Sequence, residues 1–391
     1  MRRYALLGLP LALLAACSTD GPDSPSAARS TPLASAVDDG FTYAIIGDRP
    51  YGAAKLAEMP RLIEQINDDP AVSLVIHVGD IHSGKQFCTQ AYDQSIFDLW
   101  KAYDDPLVYT PGDNETTDCH KKAEGGGAYN PATGQIDYVL DPNGAPVDYA
   151  KGDPVANLAL IRSIFFPLPN VTLGQHKRLV LSQALAYDRR HPSDKKFVEN
   201  VLWLQSQVLF LTIDLPGGSN NDTDVWYGAP TETAAQTQAR EERTGADLAW
   251  LDFGFTIAKL VGAKGVVLVA QADMWDPEKG AAHQAGYEPF VQSVAAHTLA
   301  FGGPVLMFNG DSHLYRSENP LSPTATCTWE GVGPCVPVAA MHPGYDVPNF
   351  HRVVVHGSTF PLEWLKLIVD PRASGDGPTA FGPFSWQRQP Q

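Results

Sequence analysis

Leu74-Val-Ile-His-Val-Gly-Asp-Ile-His-Ser-Gly84 decides the class of fold. Its apolar, β-branched first half reads as a buried strand. Gly79-Asp80 stops that strand and presents a carboxylate at its C-terminal end. The design recurs in Tyr43-Ala-Ile-Ile-Gly-Asp48, Leu107-Val-Tyr-Thr-Pro-Gly-Asp113 and Val305-Leu-Met-Phe-Asn-Gly-Asp311. A fifth run, Val266-Val-Leu-Val-Ala-Gln-Ala-Asp273, ends in Asp without the Gly. Ligands of open α/β sheets collect at the carboxyl ends of the strands. If the five strands share one sheet and one direction, their aspartates meet.

Such a meeting calls for a cation. Two carboxylates about 4 Å apart repel by roughly 4 kcal/mol at an effective dielectric of 20, so several of them must share protons or bind metal. Gly152-Asp153 and Gly375-Asp376 follow no apolar strand and read as turn chemistry alone.

The surroundings fit one large α/β domain. The chain has 391 residues, 44% hydrophobic and 18% charged, which is ample for a sizeable core. Its formal net charge of -16 carries no basic footprint for a nucleic-acid backbone. Between the first three Gly-Asp strands, Leu56, Met59, Ile63 and Ile66, then Ile96, Leu99 and Trp100, recur at helical spacing, with Pro60 near the start of the first helix. This β-α-β-α-β order predicts parallel pairing. Residues 114 to about 153, rich in Gly, Pro, Asn and Asp, form a long irregular insertion. Further helices are expected over 155–166, 231–260 and 287–300, and strands over 197–203, 208–213, 350–355 and 364–369. Gly254 is an unwelcome residue inside the longest of those helices.

The N-terminus reads as a targeting segment. Arg2 and Arg3 precede an apolar run over 5–16, too short for the roughly 20 residues that span a bilayer. It closes in Leu14-Ala15-Ala16-Cys17, which resembles a bacterial lipobox and implies a signal over 1–17 with Cys17 lipidated; an ordinary secretory signal is the alternative. Residues 18 to about 40 are a Ser/Pro/Ala tether, and the domain runs over 41–391. The expectation is an exported lipoprotein, membrane-anchored on the periplasmic or extracellular side. Export makes disulfides the natural state of the other four cysteines. Four cysteines allow three connectivities. Cys88 and Cys119 follow neighbouring strand ends, and Cys327 and Cys335 flank a short loop, so 88–119 and 327–335 are the expected pairs.

In order, the strand ends are Gly47-Asp-Arg-Pro50, Gly79-Asp80, Gly112-Asp-Asn-Glu115, Gln271-Ala-Asp273 and Gly310-Asp-Ser-His313. The series resembles the calcineurin-like metallophosphoesterases, whose pattern runs Asp-x-His, Gly-Asp, Gly-Asn-His-Glu/Asp, a lone His, then Gly-His-x-His. Pro111-Gly-Asp-Asn-Glu115 with Asp118-Cys119 is similar to an exported bacterial branch of that family. The resemblance implies an αββα sandwich with mixed central sheets carrying the 114–153 insertion. It also implies metal-dependent hydrolysis of a phosphomonoester or diester.

Carried over, Asp48, Asp80 and His313 match one metal's ligands, with Asp80 as the bridge and catalytic centre. Asp113 and Asp311 match the second metal's positions, and Gln271 or Asp273 stands for the lone His. Pro50 replaces a ligand, and Asn114 replaces the His that assists the leaving group, so either one ion or two is expected. The oxygen-rich set suits Mn or Mg better than Zn. The leaving group's acid must come from elsewhere: His82, His120 and Glu115 are candidates by local sequence, while His77, in mid-strand, reads as core. Arg49 is a candidate phosphate contact or an ordinary surface cation, and the Asn220-Asn221 turn a candidate site-facing loop. The implied substrate is a phosphorylated small molecule or an envelope phosphoester. The other reading is a catalytically weak envelope protein that binds a ligand or cation on the same fold.

Overall fold

A computed structural model describes residues 40–391. The lipidation site expected at Cys17, the Arg2-Arg3 pair and nearly all of the 18–40 tether lie outside the described residues.

The strand-end aspartates come from two mixed sheets, so the condition of one shared sheet is not what brings them together. β1 (Phe41–Ile46), β2 (Val72–His77) and β3 (Leu107–Tyr109) are parallel neighbours in the first sheet. A hairpin in the insertion, β4 (Gly127–Asn130) and β5 (Gln135–Tyr138), stands apart. The second sheet takes the next eight strands: β6 (Leu181–Ser182), β7 (Val201–Gln205), β8 (Val208–Thr212), β9 (Gly265–Val269), β10 (Val305–Asn309), β11 (Arg316–Glu318), β12 (Cys327–Trp329) and β13 (Phe350–Val354). Within it β8, β9, β10 and β13 are parallel, and the outer strands pair antiparallel. The chain then returns to the first sheet as β14 (Glu363–Val369), antiparallel to β1, followed by β15 (Gly375–Gly377), β16 (Ala380–Gly382) and β17 (Phe384–Pro390). Gly375-Asp376 therefore lies in a short edge strand. The turn falls after it, at Pro378-Thr379.

Both faces of both sheets are apolar, which is why the runs read as unbroken hydrophobic strands. Tyr43, Ile45, Leu74 and Ile76 of one sheet pack against Phe210, Val267, Phe308 and Val353 of the other. The outer face of the first sheet carries α1 (Ala53–Asn67), α2 (Gln90–Trp100) and α3 (Pro154–Phe165). Two short helices, α4 (Gln183–Ala186) and α5 (Gly218–Asn221), precede α6 (Ala234–Leu260) and α7 (Ala281–Phe301), which cover the second sheet. The layers thus run helix, sheet, sheet, helix.

Local chemistry explains most helix boundaries. Thr89 caps α2 by accepting the Tyr92 N–H at 3.2 Å, and Asp153, read as a turn residue, is the N-cap of α3 with Pro154 at its first position. α1 begins at Ala53, about two turns before Pro60, so that proline lies inside it. Gly254 lets α6 approach the sheet: a Cβ there would stand 3.0 Å from a Leu211 methyl. The disulfides are Cys88–Cys119 and Cys327–Cys335. The first ties the insertion to the segment after β2.

Candidate metal centre

Each candidate ligand sits just beyond a parallel strand, at the edge where the two sheets meet. Backbone hydrogen bonds join the ends: Asp48 N–H to the Gly79 carbonyl at 2.9 Å, and Gly310 N–H to the Gln271 carbonyl at 3.0 Å. The Asp311 N–H donates to Asp48 Oδ1 at 2.9 Å, which links the first sheet's β1 end to the second sheet's β10 end. As a result, one ligand atom each from Asp48, Asp80 and His313 fall within 4.8 Å of one another.

The turns that achieve this are strained. Asp48, Asp80, Asp311 and His313 all have left-handed backbone, with φ of 51°, 59°, 73° and 66°. That conformation costs a non-glycine residue of order 1–3 kcal/mol and persists only where the surroundings hold it. The preceding glycines serve close approach. A Cβ on Gly112 would stand 2.0 Å from Asp80 Oδ1, and one on Gly310 would stand 2.5 Å from Asp48 Oδ2. The Gly-Asp signature visible in the sequence is thus a packing requirement between neighbouring strand ends.

Asp80 is the centre of the hydrogen-bond network. Its Oδ2 accepts from the Tyr51 hydroxyl at 2.8 Å, the Asn114 amide at 3.0 Å and the Gln271 amide at 3.3 Å. Gln271 also donates to Asp113 Oδ1 at 3.0 Å, so Gln271 occupies the place between the two aspartates. Asp113 and Asp311 close on the same point, each within 3 Å of where a Cβ of Gly217 would stand. Asp48 Oδ2, fully buried, has no hydrogen-bond partner among the described residues. A buried carboxylate oxygen with nothing to bind is costly, and this one lies in the group of Asp48, Asp80 and His313. The donor set of two carboxylates and an imidazole around that orphaned oxygen fits a divalent cation.

The electrostatics agree. Burial pushes the Asp48 carboxyl up, against the pull of His313. Burial, and then Asp113 and Glu115, hold Asp80 well above the carboxylate range, and burial with Asp113 does the same to Asp311. Burial and the Asp118 charge raise Asp113 to about 7. Without a positive partner these four groups resist ionising together.

Other sequence candidates lie elsewhere. Asp273 points away from the cluster. Its carboxylate binds the buried Arg352 guanidinium and accepts from the Trp275 N–H and the Ser312 hydroxyl, so only its backbone serves the site, donating to Asp311. His82 turns to the Ser83 carbonyl, and burial lowers its pKa to about 4. His120, in the insertion, accepts the Tyr227 N–H at 2.8 Å from the segment before α6, and burial lowers it likewise to about 4. Glu115 is spent on the Gly112 and Ile81 N–H groups and the Tyr109 hydroxyl. Arg49 is buried with its guanidinium on the backbone carbonyls of Gly47, Glu363 and His356, which removes it as a phosphate contact. His77 is a core residue, as its mid-strand position suggests. The loop before Asn221 faces the site through Gly217, while Asn221 itself reaches Thr244. Tyr51 is the residue that the motifs did not single out; its only signal is its place directly after Asp48-Arg-Pro50.

Among the described residues, two further clusters carry ligand-type atoms. Glu330, His356 and Glu363 already enclose a cation, the Arg388 guanidinium, which bonds both carboxylates. Near Asp148, the sulfurs of Cys88 and Cys119 are bonded to each other.

The chain matches no protein-family model and no curated protein. Among solved structures it overlays on "GAP50 the anchor in the inner membrane complex of Plasmodium" with a TM-score of 0.37 and 8% identity, over 85% of this chain and 81% of that one. A likeness at that level carries no argument.

Proposed function

We propose that this protein is a cation-dependent phosphoester hydrolase of the metallophosphoesterase kind, and the buried, unpartnered Asp48 Oδ2 beside Asp80 and His313 is the observation that carries the reading. The order of the strand-end motifs and the helix-sheet-sheet-helix stacking support it. Asp48, Asp80 and His313 would hold one ion, and Asp113 and Asp311 would be the carboxylates of a second, with the Gln271 amide lying between Asp113 and Asp80. A bound Mn or Mg ion supplies Lewis acidity toward a phosphoryl oxygen and an attacking water. Asp80 fixes the position of both halves because it touches the Asn114 and Gln271 sides at once. The Asn114 amide donates hydrogen bonds but has no proton to give a leaving group, and burial lowers His82 and His120 to about 4, so neither carries an acidic proton at neutral pH.

That arrangement favours esters whose leaving group departs without a proton. Aryl phosphomonoesters or diesters should be hydrolysed in Mn2+ or Mg2+ at least ~10²-fold faster than alkyl esters, the size of effect that general acid catalysis supplies elsewhere. Zn2+ should restore the chelated enzyme less well. A panel of aryl and alkyl phosphoesters run with each metal measures this, and equal rates for both classes would show that an acid is present after all. The other reading, a cation- or ligand-binding protein on this fold, is favoured by Pro50 and Asn114. Ion uptake with no turnover on any ester would establish it.

We place the protein outside the cytoplasm, in keeping with its two disulfides. No described helix is long and apolar enough to cross a membrane. Membrane attachment is assigned to a lipid on Cys17, so Cys17→Ser should move the protein from the membrane pellet to the supernatant on fractionation. Retention in the pellet would count against the lipid.

A further inference from the structure

In the resemblance, the residue two after Asp48 is a metal ligand, and here it is Pro50, whose ring carries no donor atom. Its carbonyl is also engaged, accepting from the Tyr92 hydroxyl at 3.3 Å. The next residue fills the gap. The Tyr51 hydroxyl lies 2.8 Å from Asp80 Oδ2, 3.3 Å from His313 Nε2 and 2.9 Å from the Asn114 amide nitrogen. Donor atoms sharing one small divalent ion at 2.0–2.1 Å stand about 3 Å apart in octahedral geometry. Tyr51 Oη is at that spacing from two of the three ligand residues. Its ring packs edge-on to His313 with centroids 5.2 Å apart, and Lys55 donates to its backbone carbonyl at 3.2 Å, so the hydroxyl is aimed and held.

From this geometry we infer that Tyr51 is a fourth ligand of the cation held by Asp48, Asp80 and His313, contributing its phenol oxygen in place of the group lost at Pro50. The inference rests on the cation reading above. The plainer role is a hydrogen bond that orients Asp80. Asp80 Oδ2 already has two amide donors, Asn114 and Gln271, so orientation does not require the hydroxyl.

The test uses the full chain and Mn2+. Calorimetric titration should show Tyr51→Phe binding Mn2+ ~10-fold or more weakly than wild type, in the range found for changes around metal sites, while the melting temperature of the chelated protein stays unchanged. Tyr92→Phe is the control. Its hydroxyl bonds the Ile81 and Pro50 carbonyls and lies beside Gln86, touching none of Asp48, Asp80 and His313, so Mn2+ affinity should hold. Anomalous diffraction from Mn2+-soaked crystals should place the ion at bonding distance from Tyr51 Oη. An ion bound to Asp48, Asp80 and His313 with that oxygen out of bonding range overturns the inference and leaves the cation reading standing. Wild-type affinity in Tyr51→Phe overturns it too. Absence of bound Mn2+ in the wild type removes both.

Discussion

Asp80→Asn is expected to lower Mn2+ affinity by at least ~10²-fold, beyond the 10–100-fold typical of groups around a metal site, and to abolish phosphoester turnover with it. The substitution keeps the shape of the side chain and removes its charge. With its amide oxygen in the place of Asp80 Oδ2, the Asn keeps the Tyr51, Asn114 and Gln271 donors that converge there, and its amide nitrogen takes the place of the second ligand-type oxygen. The fold itself should not suffer. Asp80 is buried among Asp113, Glu115, Asp48 and Asp311, all of which oppose its ionisation. Removing that charge from the metal-free protein should leave its melting temperature at neutral pH equal or higher. Loss of affinity with retained stability is the signature of a ligand; loss of both would mark Asp80 as a structural residue. Unaltered Mn2+ binding would take it out of the ion's shell.

Asp113→Asn should stabilise the chelated protein at pH 8 and leave it unchanged at pH 4. Burial and Asp118 raise the Asp113 carboxyl to about 7 in the folded chain, against the usual 3.8 of a free aspartate. A carboxyl raised on folding carries no penalty below its unfolded pKa, where both states are protonated. Between about 4 and 7 the unfolded chain gives up its proton and the folded chain does not, so stability falls as pH rises. Above 7 the penalty is complete. The complete penalty is at most ~4 kcal/mol, and the acidic neighbours of Asp113 share it. The buried histidines act in the opposite sense: His77, His82 and His120 are lowered to about 3, 4 and 4, and resist protonation as pH falls. Comparing the variant with wild type at each pH cancels them. Denaturant midpoints at pH 4, 6 and 8 in chelator measure the effect. A variant equally or less stable than wild type at pH 8 would mean that Asp113 ionises freely. Adding Mn2+ should narrow or reverse the difference at pH 8, because an ion that binds wild type more tightly than the variant stabilises it by RT ln(1 + [L]/Kd) more.

Much of the fold was legible because the signals are local. Helical spacing marked α1, α2 and the heart of α6, and apolar β-branched runs marked the buried strands. Gly-Asp at four strand ends and Cys88 and Cys119 after two of them pointed to one region of the surface. What the amino-acid sequence determined by itself is this set of strand ends, their order, and the acidic residues they carry. A strand apolar on both faces says nothing about which sheet it joins, so only the tertiary structure divided β1, β2 and β3 from β9 and β10. Local sequence was equally silent on side-chain direction. Gln271 and Asp273 are two residues apart, and the choice between them was made by Arg352, a buried cation from another strand that claims the Asp273 carboxylate. Arg49 was drawn to the carbonyls of Glu363 and His356, which lie more than 300 positions along the chain. Tyr51 entered the cluster because left-handed backbone at Asp48, held by the loop after β13 through the Ser358 N–H, turns the following residues back toward Asp80. Those outcomes depend on charge pairing and close contact between distant segments, and such contacts exist only once the two sheets have packed.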